Sequence, residues 1–367
     1  MLVLVFSFIS ATLAAFLIVR YNYLHATFTA DSDLIGIQKF HTRPVPRIGG
    51  ICLIFGVFVA LLIRYWENRD VGEFGGLMLV ASLPVFLSGL LEDTTKRVGV
   101  KFRLIASVIS AFLAGYLLSG WLVTVQVLGI DNLMIAYPVA AVLITCFAVA
   151  GVSNAFNIID GYNGLSSMSA VLILCGVTYV AFQVGDHAVM VSALAMIGAL
   201  LGFLVWNYPR GLIFLGDGGA YLAGFWIAEL SILLTARHSE VSKWFPLLLC
   251  MYPIFETLFT IYRRLIIKRA HVGQPDAMHL HQLIYRRVVC SPLVSDKEYL
   301  KVQRNSLTSI YLWILCLFAV IPAVLFWRHH IILKIFAVFF ALIYIWIYWS
   351  IVRFQVPLSI KIFRKDQ

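Results

Sequence analysis

The stretch IAYPVAAVLITCFAVAGVSNAFNIIDGYNG, residues 135–164, decides the fold. Up to Ser153 it is apolar and long enough to cross a bilayer as a helix, which takes about 20 residues. It then turns polar, with Asn154, Asn157 and Asp160 at intervals of three, followed by Gly161 and Gly164. Residues three apart are helix neighbours, so three oxygen-bearing side chains share one side at the end of a span. Carboxylates and carboxamides are costly near hydrocarbon and by default signal function there. Polar contact between helices, or C-capping, is the bland alternative.

The same apolar-to-polar pattern recurs along the chain. Of 367 residues, 61% are hydrophobic and only 13% charged, about half the charge of a soluble domain. The expected fold is therefore an all-α integral membrane protein with about eleven transmembrane helices. Their approximate limits are 1–20, 48–65, 75–91, 102–120, 134–153, 164–184, 187–206, 217–236, 243–262, 306–327 and 331–352. Residues 1–367 read as a single polytopic unit, since the longest polar stretch, Arg263 to Asn305, is too short for a domain of its own. The apolar start lacks a charged leader and a small-residue cleavage site, so it reads as a retained span. Between spans four and five, WLVTVQVLGIDN (121–132) alternates apolar and polar residues, the pattern of a short strand or hairpin. The six cysteines show no paired spacing and read as small buried hydrophobes rather than disulfides or zinc ligands.

Charge sets the expected orientation. With the N-terminus outside (periplasmic), the inside segments are 20–47, 92–103, 154–164, 207–216, 263–305 and 353–367. They hold roughly 22 of the 28 lysines and arginines, which makes that side cytoplasmic by the positive-inside rule. The C-terminus is then cytoplasmic too. The loops 21–47, 92–103, 154–164, 207–216 and 263–305 form one face, and every acidic motif falls on it. The net charge of +10 suits anionic lipid and an anionic substrate. It is scattered over short loops, so nucleic acid is not an expected partner.

Glu92-Asp93 ends the third span and opens a loop with Lys96, Arg97, Lys101 and Arg103. Adjacent carboxylates there can bind a metal or accept a proton, with cations on phosphate, or they form incidental salt bridges. In FLGDGG (214–219), Asp217 sits among glycines that let a backbone approach phosphate, at the start of a helix that favours anions. An N-cap role is compatible with metal binding. Oxygen-rich ligands of this kind suit Mg²⁺. His279 and His281 lie in a loop with Arg263, Arg264, Lys268, Arg269, Arg286 and Arg287, which favours anion binding over zinc. His41, Arg43 and Arg47 belong to HTRPVPRIGG (41–50), where the arginines can hold a phosphate. No GxxxxGK[ST] or GxGxxG occurs, which disfavours ATP hydrolysis and dinucleotide chemistry.

HTRPVPRIGG (41–50), EDTTK (92–96), NAFNIIDGYNG (154–164), FLGDGG (214–219) and PDAMHLHQ (275–282), in this order, resemble the polyprenyl-phosphate N-acetylhexosamine-1-phosphate transferases. That family, glycosyltransferase family 4, includes the phospho-N-acetylmuramoyl-pentapeptide translocase. It also includes initiators of O-antigen, common antigen and teichoic acid synthesis. The proline-rich first loop and HLHQ look closer to the lipopolysaccharide-type initiators.

The resemblance implies transfer of an N-acetylhexosamine 1-phosphate from a UDP-sugar to undecaprenyl phosphate, with release of UMP, at a bacterial inner membrane. It implies Mg²⁺, with Mn²⁺ as an alternative, on Asp217 and Asn157, and Glu92 and Asp93 at the reacting centre. Lys96, Asn154, Asp160, Asn163, His41, Arg43, His279 and His281 are the implied substrate contacts. A homodimer is implied by analogy alone. The chain departs from the family pattern at Glu92 (often Asp), Asn163 (often an acid), Ala220 (often Ser) and Gln282 (often His). Direct displacement and a covalent phospho-aspartate at Asp93 both stay open. The competing classes are an ion-coupled transporter, whose sites lie near the midplane in repeats not visible here, and a phosphatase or hydrolase of the lipid carrier.

Overall fold

The computed structural model describes residues 1–31, 44–267, 278–289 and 298–353. In chain order the elements are α1 (Leu2–Arg20), α2 (Asn22–Thr29), β1 (Ala30–Asp31), β2 (Val45–Pro46), α3 (Gly49–Glu67), α4 (Arg69–Thr95), α5 (Val100–Leu118) and α6 (Ile130–Ala136). They continue with α7 (Pro138–Ile159), α8 (Leu165–Gln183), α9 (His187–Asn207), α10 (Gly216–Arg237), α11 (Phe245–Leu249), α12 (Met251–Tyr262), α13 (Leu280–Ile284), α14 (Glu298–Leu325) and α15 (His330–Val352). Single π-helical turns, Arg263–Ile267 and Tyr285–Val289, extend α12 and α13. Among the described residues ten helices are long and apolar enough to cross a membrane: α1, α3, α4, α5, α7, α8, α9, α10, α14 and α15. The protein is an all-α integral membrane protein.

The ninth expected span, 243–262, is present as two helices in tandem, α11 and α12, meeting at Cys250. Pro253 lacks an N–H and its ring crowds the carbonyl four residues back, at Leu249, which is where the first helix stops. The expected strand at 121–132 is not formed. Residues 119–129 run as irregular chain into the short α6. Their backbone groups find side chains instead of a partner strand: Leu122 N–H donates to Thr145 Oγ1 (3.0 Å) and Val125 N–H to Asp131 Oδ1 (2.7 Å).

Helix boundaries follow local chemistry. Asn68 caps α4 by accepting from Val71 N–H, and Asp186 caps α9 by accepting from Val189 N–H. Pro138 opens α7 at the first turn, where no donor is needed. Nearly every residue of α10 is buried, and α3, α4, α7 and α8 surround it. α1 and α15 bury only a stripe. Small residues allow the closest approaches. Gly198 and Gly202 bring α9 against the backbone of α1, where Ser7 Oγ donates to Ala195 O (2.6 Å).

Three short connections meet at one end of the bundle. Phe214 N–H donates to Pro46 O (2.8 Å), Gly49 N–H to Phe214 O (3.0 Å) and Gly50 N–H to Leu215 O (3.0 Å). The segment entering α3 is thus laced to the segment entering α10. β1 pairs with β2 beside it, Ala30 opposite Pro46 and Asp31 opposite Val45.

Candidate active site

α10 begins without a cap of its own, since Leu215 offers no side-chain acceptor. Asp93, in the last turn of α4, supplies one. Its two carboxylate oxygens accept from Asp217 N–H (2.8 Å) and Gly218 N–H (2.9 Å), two of the donors a helix start leaves unsatisfied. Asp93 is almost completely buried. This closeness depends on glycine. A Cβ on Gly89 would strike the backbone of Gly218, and one on Gly216 would collide with the Arg47 carbonyl and the Asp93 carboxylate. Gly216 also holds a φ of 75°, open to glycine at no steric cost.

The side chain of Asp217 then projects from the first turn of α10, 13% exposed. Asn157 Nδ2 donates to its Oδ1 (2.8 Å), and Arg47 approaches the same oxygen (3.5 Å). Arg103, from the first turn of α5, forms an ion pair with its Oδ2. Arg103 also lies over the Tyr221 ring (5.6 Å), and Tyr221 OH donates to Asn154 Oδ1 (2.8 Å). Arg47 stands 3.8 Å from Asp93 as well. Two acids, two arginines and two asparagines from α4, α5, α7, α10 and the entry to α3 therefore converge at one end of the membrane bundle.

Asp217 and Asn157 offer one carboxylate and one carboxamide oxygen. Mg²⁺ is usually held by one or two carboxylates, waters and substrate phosphates. These are oxygen donors of the type that Mg²⁺ takes when a phosphate substrate completes its shell. Among the described residues no group of three or more His, Cys, Asp or Glu side chains is arranged to hold a metal without such help.

The other candidates lie around this centre. Glu92 is half-buried and accepts from Val98 N–H (2.7 Å), which closes the turn before α5. Lys96 occupies the left-handed position after α4, exposed on that turn. Asp160 caps the end of α7. Desolvation pushes its carboxyl up to about 7, and the Arg47 charge pulls the other way. Asn163 points into scaffold. Its Nδ2 donates to Pro209 O (2.9 Å), its N–H to Asn305 Oδ1 (2.8 Å), and its carbonyl accepts from Ser309 Oγ (2.7 Å). It ties the turn after α7 to the one after α9 and to α14. His281 packs its ring against Tyr162 (5.5 Å, near perpendicular), and His279 stacks on His281 (5.1 Å). His281 thus reaches the turn after α7, with His279 stacked on it. His41 and Arg43 lie outside the described residues.

The sequence reading did not single out Arg103 from the loop cations near it, and it passed over Tyr221 and Glu256. Glu256 carried a usable signal, a carboxylate inside an apolar run. Arg103 carried none, because four cations share its loop and only packing selects one.

Comparison with known proteins bears on the same residues. The sequence profile of glycosyl transferase family 4 matches residues 76–235, from α4 to α10. A Bacillus subtilis protein described as a probable undecaprenyl-phosphate N-acetylglucosaminyl 1-phosphate transferase is 28% identical over 262 residues, 66% of this chain and 66% of that protein. The Thermotoga maritima undecaprenyl-phosphate alpha-N-acetylglucosaminyl 1-phosphate transferase is 27% identical over 252 residues, 68% of this chain and 72% of that protein. The phospho-N-acetylmuramoyl-pentapeptide-transferase of Streptococcus thermophilus is 31% identical over 266 residues, 67% of this chain and 76% of that protein.

Proposed function

Because the chain belongs to glycosyl transferase family 4, we propose that it transfers an N-acetylhexosamine 1-phosphate from a UDP-sugar to undecaprenyl phosphate, releasing UMP. The observation that carries this reading is the convergence of Arg47, Arg103 and Asn157 on Asp217 at the start of α10. Such a cluster of cations suits a diphosphate at a membrane surface. The relatives named for this chemistry support the reading.

In the reaction, an oxygen of the lipid phosphate attacks the β-phosphorus of the donor. The bond from that phosphorus to the bridging oxygen breaks, and the electron pair leaves with UMP. Positioning and charge stabilisation carry most of such chemistry. Asp217 and Asn157 would hold Mg²⁺, which supplies neutralising charge for the diphosphate. Arg47 and Arg103 add fixed cations to the same place. Asp93 works through geometry, since both of its oxygens are committed to the start of α10. The lipid phosphate is mostly ionised at pH 7, its second pKa being about 6, so a base contributes little. The site faces the cytoplasm of a bacterial inner membrane, in keeping with its share of lysines and arginines. The product is the first lipid-linked sugar of a cell-surface polysaccharide.

The test is UMP release by purified protein in detergent with undecaprenyl phosphate, Mg²⁺ and a panel of UDP-N-acetylhexosamines. Release that needs lipid, donor and Mg²⁺ together is expected. Folded protein that releases no UMP with any donor in the panel overturns the proposal.

A further inference from the structure

Glu256 lies in α12, fully buried, and both of its carboxylate oxygens are hydrogen-bonded. Its Oε1 accepts from Leu280 N–H (3.0 Å) and lies 3.1 Å from His279 Nδ1. Its Oε2 accepts from the hydroxyl of Tyr344 (2.7 Å), a fully buried residue of α15. His279 Nδ1 is also 3.2 Å from Thr260 Oγ1, one turn along α12. The His279 ring stacks on His281 with 6° between planes. The Nε2 of His281 in turn lies where a Cβ on Gly161 would be 3.2 Å away. A continuous chain of contacts therefore runs from α15 through α12 to the turn that follows Asn157 and Asp160.

Chemistry assigns the protons. An ionised carboxylate only accepts, so the ring nitrogen facing Glu256 carries a hydrogen. His279 is thereby held in one tautomer, with Nε2 as its variable nitrogen. Stability does not explain the arrangement. Replacing a buried ion pair with apolar packing is often neutral or stabilising, so such a pair is weak evidence for a stabilising role. A simple cap on the short α13 would need neither the histidine nor Tyr344.

We propose that Glu256, backed by Tyr344, is a positioning residue that fixes the ring of His279 through its Nδ1, and so sets the orientation that the His279–His281 segment presents to the sugar donor. This rests on the transferase reading above. Glu256 touches no reacting atom. It acts through His279, which stacks on the His281 ring that packs against Tyr162 in the turn after α7. Its effect falls on donor binding and leaves the chemical step.

The experiment measures kcat and KM for the UDP-N-acetylhexosamine in the full chain, E256Q, H279Q and the double variant E256Q/H279Q, with E256D as the charge-keeping control. E256Q keeps the shape and an acceptor for Leu280 while removing the charge. The expected result is a KM raised about tenfold, the scale of one charge-assisted hydrogen bond, with kcat within about twofold of the parent. E256D recovers part of the loss. In the H279Q background E256Q adds less than about twofold, since the two act as one unit. If E256Q fails to fold, Y344F carries the test: it leaves the charge, removes one donor to Glu256, and raises KM in the same direction by less. An unchanged KM, a loss confined to kcat, or an equal loss in the H279Q background overturns the inference. An inactive parent protein overturns the transferase reading instead, so the two failures are told apart.

Discussion

Asp217 and Glu229 sit on the same helix, about three turns apart. Asp217 meets Arg47, Arg103 and Asn157 and stays partly open. Glu229 is fully buried, and neither carboxyl oxygen has a hydrogen-bond partner. Its surroundings include Gly120 and Leu233, which offer no side-chain donor. Burying a carboxylate with no partner is costly. An acid inside the bundle is therefore not enough to mark a centre. What distinguishes Asp217 is the set of donors and cations that several helices bring to it.

That contrast can be broken at three points. The largest effect belongs to Asp217→Asn, which removes the carboxylate while keeping the size. UMP release should fall about 10²–10³-fold, the scale seen when one preorganised electrostatic contact is lost. Activity near the parent level would detach Asp217 from the chemistry. The next belongs to Asp93→Ala, which strips the cap from α10 and leaves two buried N–H groups unsatisfied. Thermal unfolding should register a loss of about 1–3 kcal/mol, and activity should drop up to about 10²-fold through displacement of Asp217. Lost activity with unchanged unfolding would instead mean that Asp93 acts on substrate directly. The smallest belongs to Glu229→Gln, which keeps the shape of a side chain whose oxygens make no hydrogen bond. Stability should stay within about 0.5 kcal/mol, and UMP release within about twofold. A large loss in either would reveal a charge at Glu229 and erase the contrast.

Much of the fold was legible because hydropathy is a local property. The ranges expected for α8, α9 and α10, 164–184, 187–206 and 217–236, match Leu165–Gln183, His187–Asn207 and Gly216–Arg237 almost residue for residue. Hydropathy averages over prolines, so 243–262 read as one span although Pro253 splits it. Alternation at 121–132 imitated a strand, but no second strand is available there, and Thr145 and Asp131 take its backbone hydrogen bonds. The candidate residues were legible as motifs and less so as partners. Asn157 and Asp217 were expected together and are bonded. Asp93 and Asp217 were expected at one centre, but the link runs through backbone amides, which no side-chain pattern encodes. Asn163 read as a pocket residue and ties three segments of scaffold together.

The sequence alone determined that this chain spans a membrane many times, and that its polar motifs gather where spans meet loops. Both follow from the free energy of placing each residue in hydrocarbon, a cost paid locally. The tertiary structure alone decided which groups touch. It selected Arg103 from four loop cations for Asp217, gave α10 a cap from α4, and joined Glu256 to His279 across 23 residues. Those choices depend on how helices pack side by side, and contacts between distant segments leave no periodic trace along the chain.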